Sequence, residues 1–278
     1  MILIADSGST KTDWVLADEN LQRHPFTTSG INPFILSVEQ IENILVTQIH
    51  IGIDRSTIKE IYFYGAGCSD EVRCGMIKDS LKKLFSNAEI EVNHDLLGAA
   101  RALCGNEKGI AAILGTGSNS CLYDGEKITE AIPSLGYILG DEGSGAHIAK
   151  KFIAAYIYRE MPADLKSKVD AEGITKEDVI QNLYDSPAPS AYLAGYMAII
   201  TKHIQHPFIS SLVKNCFAEF LERHVCRYTG FKETPMHCTG SVAFNFSNLL
   251  KEAAAEKKVT VGRIIDKPIN TLADFHLL

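Results

Sequence analysis

Two stretches of this chain run through the same order of short apolar segments, and that repetition limits the folds open to it. The first stretch begins with the apolar run Ile2–Ala5, a tip of small and hydroxylated residues at 6–13, and a second apolar run, Trp14–Ala17. The second stretch begins in the same way within Gly109–Gly125. Short apolar runs bounded by turn residues are typical of buried strands, so each stretch predicts a β-hairpin with a Gly/Ser/Thr tip.

The segments that follow each hairpin continue the same plan. After the first, a strand ends at Ser29, and a helix begins at Ser37, which forms a capping box with Gln40. Strands over 58–67 and 88–95 then alternate with two helices. After the second hairpin come a strand at 127–132, a helix through 149–157, a mainly helical region at 160–210, a strand and glycine turn within 235–244, and a strand at 259–265. We therefore predict two variants of one βββαβαβα plan, each a mixed sheet flanked by helices.

Charge and composition exclude several classes of partner. The formal net charge of -7 argues against nucleic acid or an anionic membrane, because both require a basic footprint. No apolar stretch is long enough to span a membrane and no targeting segment precedes the first strand, so we expect a cytoplasmic protein. The seven cysteines include no C-x-x-C pair, which favours reduced and mostly buried thiols. Cys216 falls on the apolar face of a helical pattern, which favours a core position over metal ligation.

The two hairpin tips carry the chemistry. Small residues expose backbone N–H groups and hydroxyls, and concave arrangements of such groups bind phosphate oxygens. Neither tip, "DSGSTKTD" or "LGTGSNS", matches the Walker A or the Rossmann glycine pattern. A single glycine-rich turn is weak evidence, because such turns are common in hairpins. Recurrence of the tip in two similar halves makes a phosphate site the better interpretation.

These motifs resemble a known superfamily. Both tips are similar to the phosphate-binding hairpins of sugar kinases, acetate kinase, heat-shock chaperone ATPases and actin, and "CTGSVA" is similar to their glycine turn beside the adenosine. Within that superfamily the chain resembles the N-acetylglucosamine kinase branch, grouped with the BadF/BadG/BcrA/BcrD ATPases. The residues that carry this likeness are "TTSGINPF", "NHDLLGAARA", "ILGTGSNS" and "LGDEGSGAHIAKK".

The resemblance implies a fold and a domain division. It implies an α/β protein of two duplicated ribonuclease H-like, actin-like ATPase domains, with an active-site cleft between them. The N-terminal domain would span 1–104 and be joined by the closing helix at 268–278. The C-terminal domain would span 105–267 and contain a helical insertion at about 160–230. Whether that insertion forms the interface of a homodimer is left open by the sequence.

The resemblance also implies cofactors and site residues. ATP and Mg²⁺ would be the cofactors, and Asp6 would lie by the metal, which suits a carboxylate. Asp95 would be the catalytic base for an acceptor hydroxyl. The ATP-binding set implied is Gly8, Ser9, Thr10, Lys11, Thr116, Gly117, Ser118, Gly240 and Ser241. The sugar-binding set implied is Asn32, Asp95, Thr116, Asp141 and Glu142.

Several of these residues have a simpler interpretation. Asp95, taken alone, suits a helix cap, and Glu142 suits a favourable acid in the first turn of a helix. Lys11 is equally compatible with phosphate contact and with solvent exposure. A histidine at the position of His94 is more typical of a packed or exposed side chain than of a catalytic one.

The function implied is a kinase that phosphorylates the 6-hydroxyl group of N-acetylglucosamine or a related amino sugar, such as glucosamine or N-acetylmuramic acid. Domains of this kind would close over the sugar and exclude water. An ATPase subunit that drives a partner reductase or dehydratase is the alternative from another class. It would require cysteines that converge on an iron–sulfur cluster, and Cys104 and Cys121 lack a clustered spacing. A sugar sensor without turnover is a third alternative, and the presence of both Asp6 and Asp95 argues against it.

Overall fold

The computed structural model describes residues 1–50, 52 and 54–277, which form two compact units. Unit 1 comprises Met1–Glu107, Gly125–Ile128 and Lys267–Leu278, and unit 2 comprises Lys108–Asp124 and Thr129–Asp266. Each unit is described below by itself.

The first sheet has five strands in the order β3-β2-β1-β4-β5. Strands β1, β2 and β3 form an antiparallel meander, whereas β1, β4 and β5 are parallel. Three helices, α1, α2 and α3, follow β3, β4 and β5 in turn. Their bounds are β1 Ile2–Ser7, β2 Lys11–Ala17, β3 Arg23–Ser29, α1 Val38–Gln48, β4 Glu60–Gly65, α2 Glu71–Leu84, β5 Glu89–His94 and α3 Asp95–Cys104, and the closing helix is α13, Ile269–Leu277.

Strand β1 lies at the centre of this sheet and is covered on both faces. Leu3, Ile4 and Ala5 are fully buried, which explains why the strand reads as a continuous apolar run rather than an alternating one. Leu3 and Ala5 pack with the core beneath α1 and α2, and Ile4 packs with α3 and α13. The capping box predicted at Ser37 and Gln40 is present in full at the start of α1.

The second sheet repeats this plan. Its order, β10-β9-β6-β7-β8, has the meander β6-β7-β8 on one side and the parallel strands β9 and β10 on the other. Seven α-helices lie between β8 and β9, and five of them, α6 to α10, lie in the region at about 160–230 where the sequence predicted a helical insertion. The bounds are β6 Gly109–Leu114, β7 Ser118–Tyr123, β8 Ile128–Ala131, α4 Gly136–Leu139, α5 Gly145–Ile157, α6 Ala163–Asp170, α7 Lys176–Asp185, α8 Pro189–Gly195, α9 Met197–Lys202, α10 Pro207–Arg223, β9 Met236–Thr239, α11 Ser241–Asn245, α12 Ser247–Glu256 and β10 Val261–Ile265.

The shared strand order confirms the predicted duplication of an α/β, ribonuclease H-like plan. One local prediction was too broad. The first hairpin tip was expected to span 6–13, but β1 continues to Ser7 and β2 starts at Lys11, so the tip is Gly8–Thr10. The strands extend because Asp6 and Asp13 pair directly in the antiparallel register.

Cys216 is buried in the core of unit 2, as its helical pattern predicted. Across the described residues, no helix has the length and apolar character to cross a membrane.

Two glycines within helices of unit 1 provide a matched test of packing. A Cβ atom added at Gly98 of α3 would lie 2.7 Å from Cγ of Tyr64, whose side chain is fully buried. A Cβ atom added at Gly75 of α2 would meet none of the described atoms within 4 Å. We expect Gly98→Ala to destabilise the protein by about 1–3 kcal/mol through overpacking. Gly75→Ala should stabilise it by about 0.5–1 kcal/mol, because alanine loses less backbone entropy. Urea unfolding of both variants measures the contrast, and shifts of the same sign would contradict it.

A half-buried histidine attaches α13 to the sheet of unit 1. The Arg101 guanidinium donates to the Tyr64 hydroxyl, which in turn lies 2.8 Å from Nε2 of His276. The His276 ring stacks on Tyr62 with ring centroids 3.8 Å apart. Burial, followed by the positive charge of Arg101, lowers the pKa of His276 to about 4. The imidazole is therefore neutral at pH 7 and accepts the Tyr64 hydrogen bond.

This lowered pKa predicts a loss of stability in acid. An unfolded chain protonates His276 near its usual pKa of about 6.5, so the stabilising contribution is complete above that pH and declines as the pH falls towards 4. Between pH 7.5 and pH 5 we expect His276 to account for about 1 kcal/mol of this loss, since solvent screens part of the interaction. His276→Gln keeps an acceptor but does not titrate. Urea unfolding at both pH values should show a smaller loss for this variant than for the wild type, and equal losses would refute the assignment.

Candidate functional site

The first hairpin tip, Gly8–Thr10, is exposed and supported by the loop that follows β3. The backbone N–H of Gly8 donates to the Lys11 carbonyl at 2.9 Å, and the N–H of Gly30 donates to the Thr10 carbonyl at 3.1 Å. A Cβ atom at Gly30 would lie 2.5 Å from the Gly8 carbonyl oxygen, so glycine is required for this close approach. The tip is thus held from one side and presents small residues on the other.

Asp6 lies half-buried near the end of β1 among other carboxylates. Burial raises the pKa of Asp6 to about 7, with further contributions from the negative charges of Asp95 and Asp13. A cation would relieve this accumulation of negative charge. Across the described residues, no group of three or more His, Cys, Asp or Glu side chains could hold a metal ion. A carboxylate such as Asp6 suits Mg²⁺, which uses one or two carboxylates and completes its shell with phosphates and water.

Lys11 forms a direct ion pair with a neighbouring carboxylate. Its Nζ atom lies 2.9 Å from Oδ2 of Asp13, while Lys267 lies 3.6 Å from Oδ1 of the same carboxylate. The Lys11 side chain is about half exposed, so a phosphate could compete with Asp13 for its charge.

Asn32 is buried beside the first hairpin. Its Nδ2 atom donates to Ser9 Oγ at 2.8 Å, and its Oδ1 atom accepts the Phe34 N–H at 2.9 Å. A Cβ atom at Gly67 would lie 2.0 Å from Asn32 Oδ1, so the turn after β4 encloses the amide. Asn32 links the tip to the loop after β3, and each of its amide groups retains capacity for one further hydrogen bond.

Asp95 is the first residue of α3, directly after β5. The interpretation of Asp95 as a helix cap is wrong, because His94 occupies the N-cap position and its Nδ1 atom lies 3.0 Å from the backbone nitrogen of Leu96. The Asp95 side chain is about a quarter exposed and lies 2.7 Å from His94 through Oδ1. The sequence had favoured simple packing for His94, and the contact with Asp95 was missed.

The second hairpin tip is held by the N-terminus of α5. The N–H groups of Gly145 and Ala146 donate to the carbonyls of Gly115 and Thr116, at 2.8 and 3.1 Å. These are first-turn donors that lack partners within the helix, so the tip satisfies them while it is fixed in place. Thr116, Gly117 and Ser118 lie together at this end of β6 and β7.

Asp141 approaches the second tip in a strained conformation. Its φ angle is +57°, a region that non-glycine residues rarely occupy. Its Oδ1 atom accepts from the Ser118 N–H at 3.3 Å and from Ser134 Oγ at 3.2 Å, and Oδ2 would lie 3.0 Å from a Cβ atom at Gly117. Burial raises the pKa of Asp141 above its usual value. Strain of this kind persists where the surrounding structure enforces it and is typical of functional sites.

Glu142, the next residue, faces a different set of partners. Its carboxylate lies 2.9 Å from Arg223 and 3.3 Å from Nε2 of His224. Burial raises the pKa of Glu142, but hydrogen bonds and the charges of His224 and Arg223 lower it further, to a net value below normal. Glu142 is thus engaged in an ion pair with the end of α10, whereas Asp141 faces the tip.

A cavity of about 310 Å³ opens beside the second tip, within the size range of small-molecule sites. Thr116 and Ser241 line it, and Gly240 directly precedes Ser241. Most of the other lining residues come from the helical insertion and from α11 and its C-terminal end, and no sequence motif indicated them. They include Ala194, Met197, Thr201, Asn245 and Phe246. Asn245 could have been found, because it lies four residues after Ser241 and therefore on the same helix face.

Comparisons with known proteins agree with this arrangement. The model of the BadF/BadG/BcrA/BcrD ATPase family matches residues 5–268. The chain belongs to this family. Membership confirms the resemblance found in the sequence, and it implies that the chain is an enzyme that binds ATP. No curated protein matched the sequence.

Solved structures extend the comparison. A candidate N-acetylglucosamine kinase from Porphyromonas gingivalis is 43% identical, with a TM-score of 0.94 over 99% of this chain and 98% of its own. A candidate N-acetylglucosamine kinase from Chromobacterium violaceum is 16% identical, with a TM-score of 0.74 over 99% and 98%. A ROK family glucokinase from Streptomyces griseus, solved with glucose and AMPPNP, is 12% identical with a TM-score of 0.55 over 98% of each chain. The last two share the fold with this chain.

Proposed function

We propose that the protein is a sugar kinase that transfers the γ-phosphoryl group of ATP to the 6-hydroxyl group of N-acetylglucosamine. The observation that carries this proposal is the 43% identity, over 99% of the chain, to the candidate N-acetylglucosamine kinase from Porphyromonas gingivalis. The position of Asp95, partly exposed at the end of β5, supports it from the side of the chemistry.

Asp95 would act as the general base. Phosphoryl transfer passes through a loose transition state, so the protein mainly has to position the reactants and stabilise charge. An aspartate within reach of the acceptor hydroxyl orients it and takes its proton as the new bond forms.

The remaining proposed residues would bind ATP and the sugar. The backbone N–H groups of the tips Gly8–Thr10 and Thr116–Ser118 would contact phosphate oxygens, and the cavity beside Gly240 and Ser241 would take the nucleoside. Asp6 would hold Mg²⁺, which neutralises phosphate charge when bound. Asn32, Thr116, Asp141 and Glu142 remain the proposed sugar contacts. For Asp141, Oδ2 offers the freer oxygen, because Oδ1 already accepts two hydrogen bonds.

The identity of the amino sugar depends on the group at its second carbon. Glucosamine has an ammonium group where N-acetylglucosamine has an acetamide, and N-acetylmuramic acid adds an anionic lactyl group. A site built to hydrogen-bond an amide rejects an analogue without it by about 10⁴-fold, whereas a missing methylene costs only about 10- to 200-fold. The ratio of kcat/KM values for N-acetylglucosamine and glucosamine therefore indicates whether the pocket hydrogen-bonds the acetamide group.

A coupled ADP-release assay tests the proposal. Purified protein is supplied with Mg-ATP and with N-acetylglucosamine, glucosamine, N-acetylmuramic acid or no sugar, and the product is analysed for phosphate on the 6-hydroxyl group. We expect ADP release to depend on N-acetylglucosamine. A preference for another amino sugar would correct the acceptor but keep the reaction class. Equal ADP release with and without every sugar would overturn the proposal and favour an ATPase that drives a partner reductase.

A further inference from the structure

His94 is the last residue of β5 and directly precedes Asp95, the first residue of α3. Its Nδ1 atom lies 2.7 Å from Oδ1 of Asp95 and 3.0 Å from the backbone nitrogen of Leu96. Asp95 Oδ1 is buried. If Nδ1 is unprotonated and accepts the Leu96 N–H, Oδ1 has no hydrogen-bond donor among the described residues. The single Nδ1 position thus faces one acceptor and one donor at hydrogen-bonding distance.

Nδ1 can satisfy only one of these neighbours in a given protonation state. A nitrogen lone pair and a carboxylate oxygen at 2.7 Å repel each other unless a proton lies between them, and a buried carboxylate oxygen without a donor is costly. A hydrogen bond to a carboxylate is roughly twice as strong as one between neutral groups. The proton therefore belongs on Nδ1, directed at Asp95, while Asp95 is ionised.

We propose that His94 is a positioning residue, whose Nδ1–H holds Oδ1 of Asp95 so that Oδ2 is left to receive the acceptor hydroxyl. The role in catalysis rests on the proposed function, whereas the contact itself does not. Oδ1 is buried, so the exposed part of the Asp95 side chain lies away from His94. A carboxylate anchored through one oxygen presents the other in one orientation, and misplacement of a reacting group by 1 Å can cost about 10²-fold in rate.

The charges around the pair favour this state. Burial lowers the pKa of His94, but the hydrogen bond and negative charge of Asp95 raise it by more, so that its pKa lies above the usual value. Of the described residues, only Asp95 acts on His94 by its charge. After burial, the negative charge of Asp95 is one of the causes that raise the pKa of Asp6 in β1 and of the Cys68 thiol after β4.

Two substitutions separate capping from positioning. Asparagine and aspartate are both strong helix caps, so His94→Asn and His94→Asp should each satisfy the Leu96 N–H and leave the unfolding midpoint close to wild type. Asparagine also offers an amide N–H to Asp95, whereas aspartate offers no donor and adds a like charge. We expect His94→Asn to retain kcat within about threefold and His94→Asp to lower it about 10- to 100-fold, with the KM for ATP unchanged in both.

A measurement without substrate tests the contact. ¹⁵N spectra of histidine-labelled wild type and His94→Asn identify the His94 signal by difference, which is necessary because the chain has nine histidines. We expect Nδ1 of His94 to be protonated at pH 7.5 and to lose this preference in Asp95→Asn. An unprotonated Nδ1 in the wild type would overturn the proposal, whatever the enzyme does.

The kinetic results are equally decisive. Equal kcat values for His94→Asn and His94→Asp would show that His94 acts only as a cap. A protonated Nδ1 in a protein that phosphorylates no sugar would instead overturn the proposed function and the catalytic role of His94, while the contact with Asp95 would stand.

Discussion

Replacement of Asp95 by asparagine is expected to lower the kcat of sugar-dependent ADP release by about 10²- to 10⁴-fold, the usual contribution of a general base. An amide has nearly the same size as a carboxylate and can still contact a hydroxyl, but it cannot take the proton. The KM for ATP should stay close to wild type, because Asp95 is proposed to act on the acceptor. Steady-state kinetics with the preferred sugar measure both quantities.

Asp79 provides the control for this substitution. It is an exposed acid on α2 of the same unit, so Asp79→Asn makes the same change of charge without touching the proposed site. We expect its kcat to equal that of the wild type. A wild-type kcat in Asp95→Asn would remove Asp95 as the base, and an equal loss in Asp79→Asn would assign the effect to net charge.

The second large effect is expected at Gly240. This residue has φ +109° and ψ 151°, a conformation essentially confined to glycine. A Cβ atom there would lie 2.4 Å from the carbonyl oxygen of Leu114, directly before the second hairpin tip. The alanine would therefore combine backbone strain with a clash against backbone that has little freedom to move. We expect Gly240→Ala to destabilise the protein by about 2–4 kcal/mol and to weaken ATP binding at least about tenfold.

Gly195 is the matched control in unit 2. It lies at the end of α8, and a Cβ atom added there would meet none of the described atoms within 4 Å. Gly195→Ala should leave ATP affinity unchanged and alter stability by less than about 1 kcal/mol. Urea unfolding and ATP titration of the two variants give the comparison. Unaltered ATP binding in a folded Gly240→Ala protein would show that the turn is not part of the nucleotide site.

The elements that the sequence predicts well are those defined by local patterns. The apolar run through Leu3, Ile4 and Ala5 indicated a strand buried on both faces, and the spacing of Ser37 and Gln40 indicated a capping box. Periodicity and capping depend on residues that are close in sequence. Recurrence of the hairpin tip then identified the duplication, because two similar units place their tips at the same point in the strand order.

The details that the sequence could not predict depend on residues distant from one another. The interpretation of Glu142 as an acid in the first turn of a helix is wrong, because α5 begins only at Gly145, and the ion pair of Glu142 is with Arg223, at the far end of α10. The left-handed conformation of Asp141 follows from contacts with Ser118 and Ser134, which no local pattern encodes. The sequence predicts only a packed or exposed His94, because a single histidine in a sequence shows neither its protonation nor its partner.

The position of α13 sets an order of assembly during synthesis on the ribosome. Its residues Ile269, Leu272 and Ala273 share a core with Ile4, Val15 and Tyr64 of unit 1. All the residues of unit 2 are translated before α13 emerges. The unit whose strands leave the exit tunnel first is consequently the one that completes its core last. Until then the apolar surface around Tyr64 is available to chaperones, and nascent chains stalled before residue 269 should remain more sensitive to protease in their first hundred or so residues than released protein.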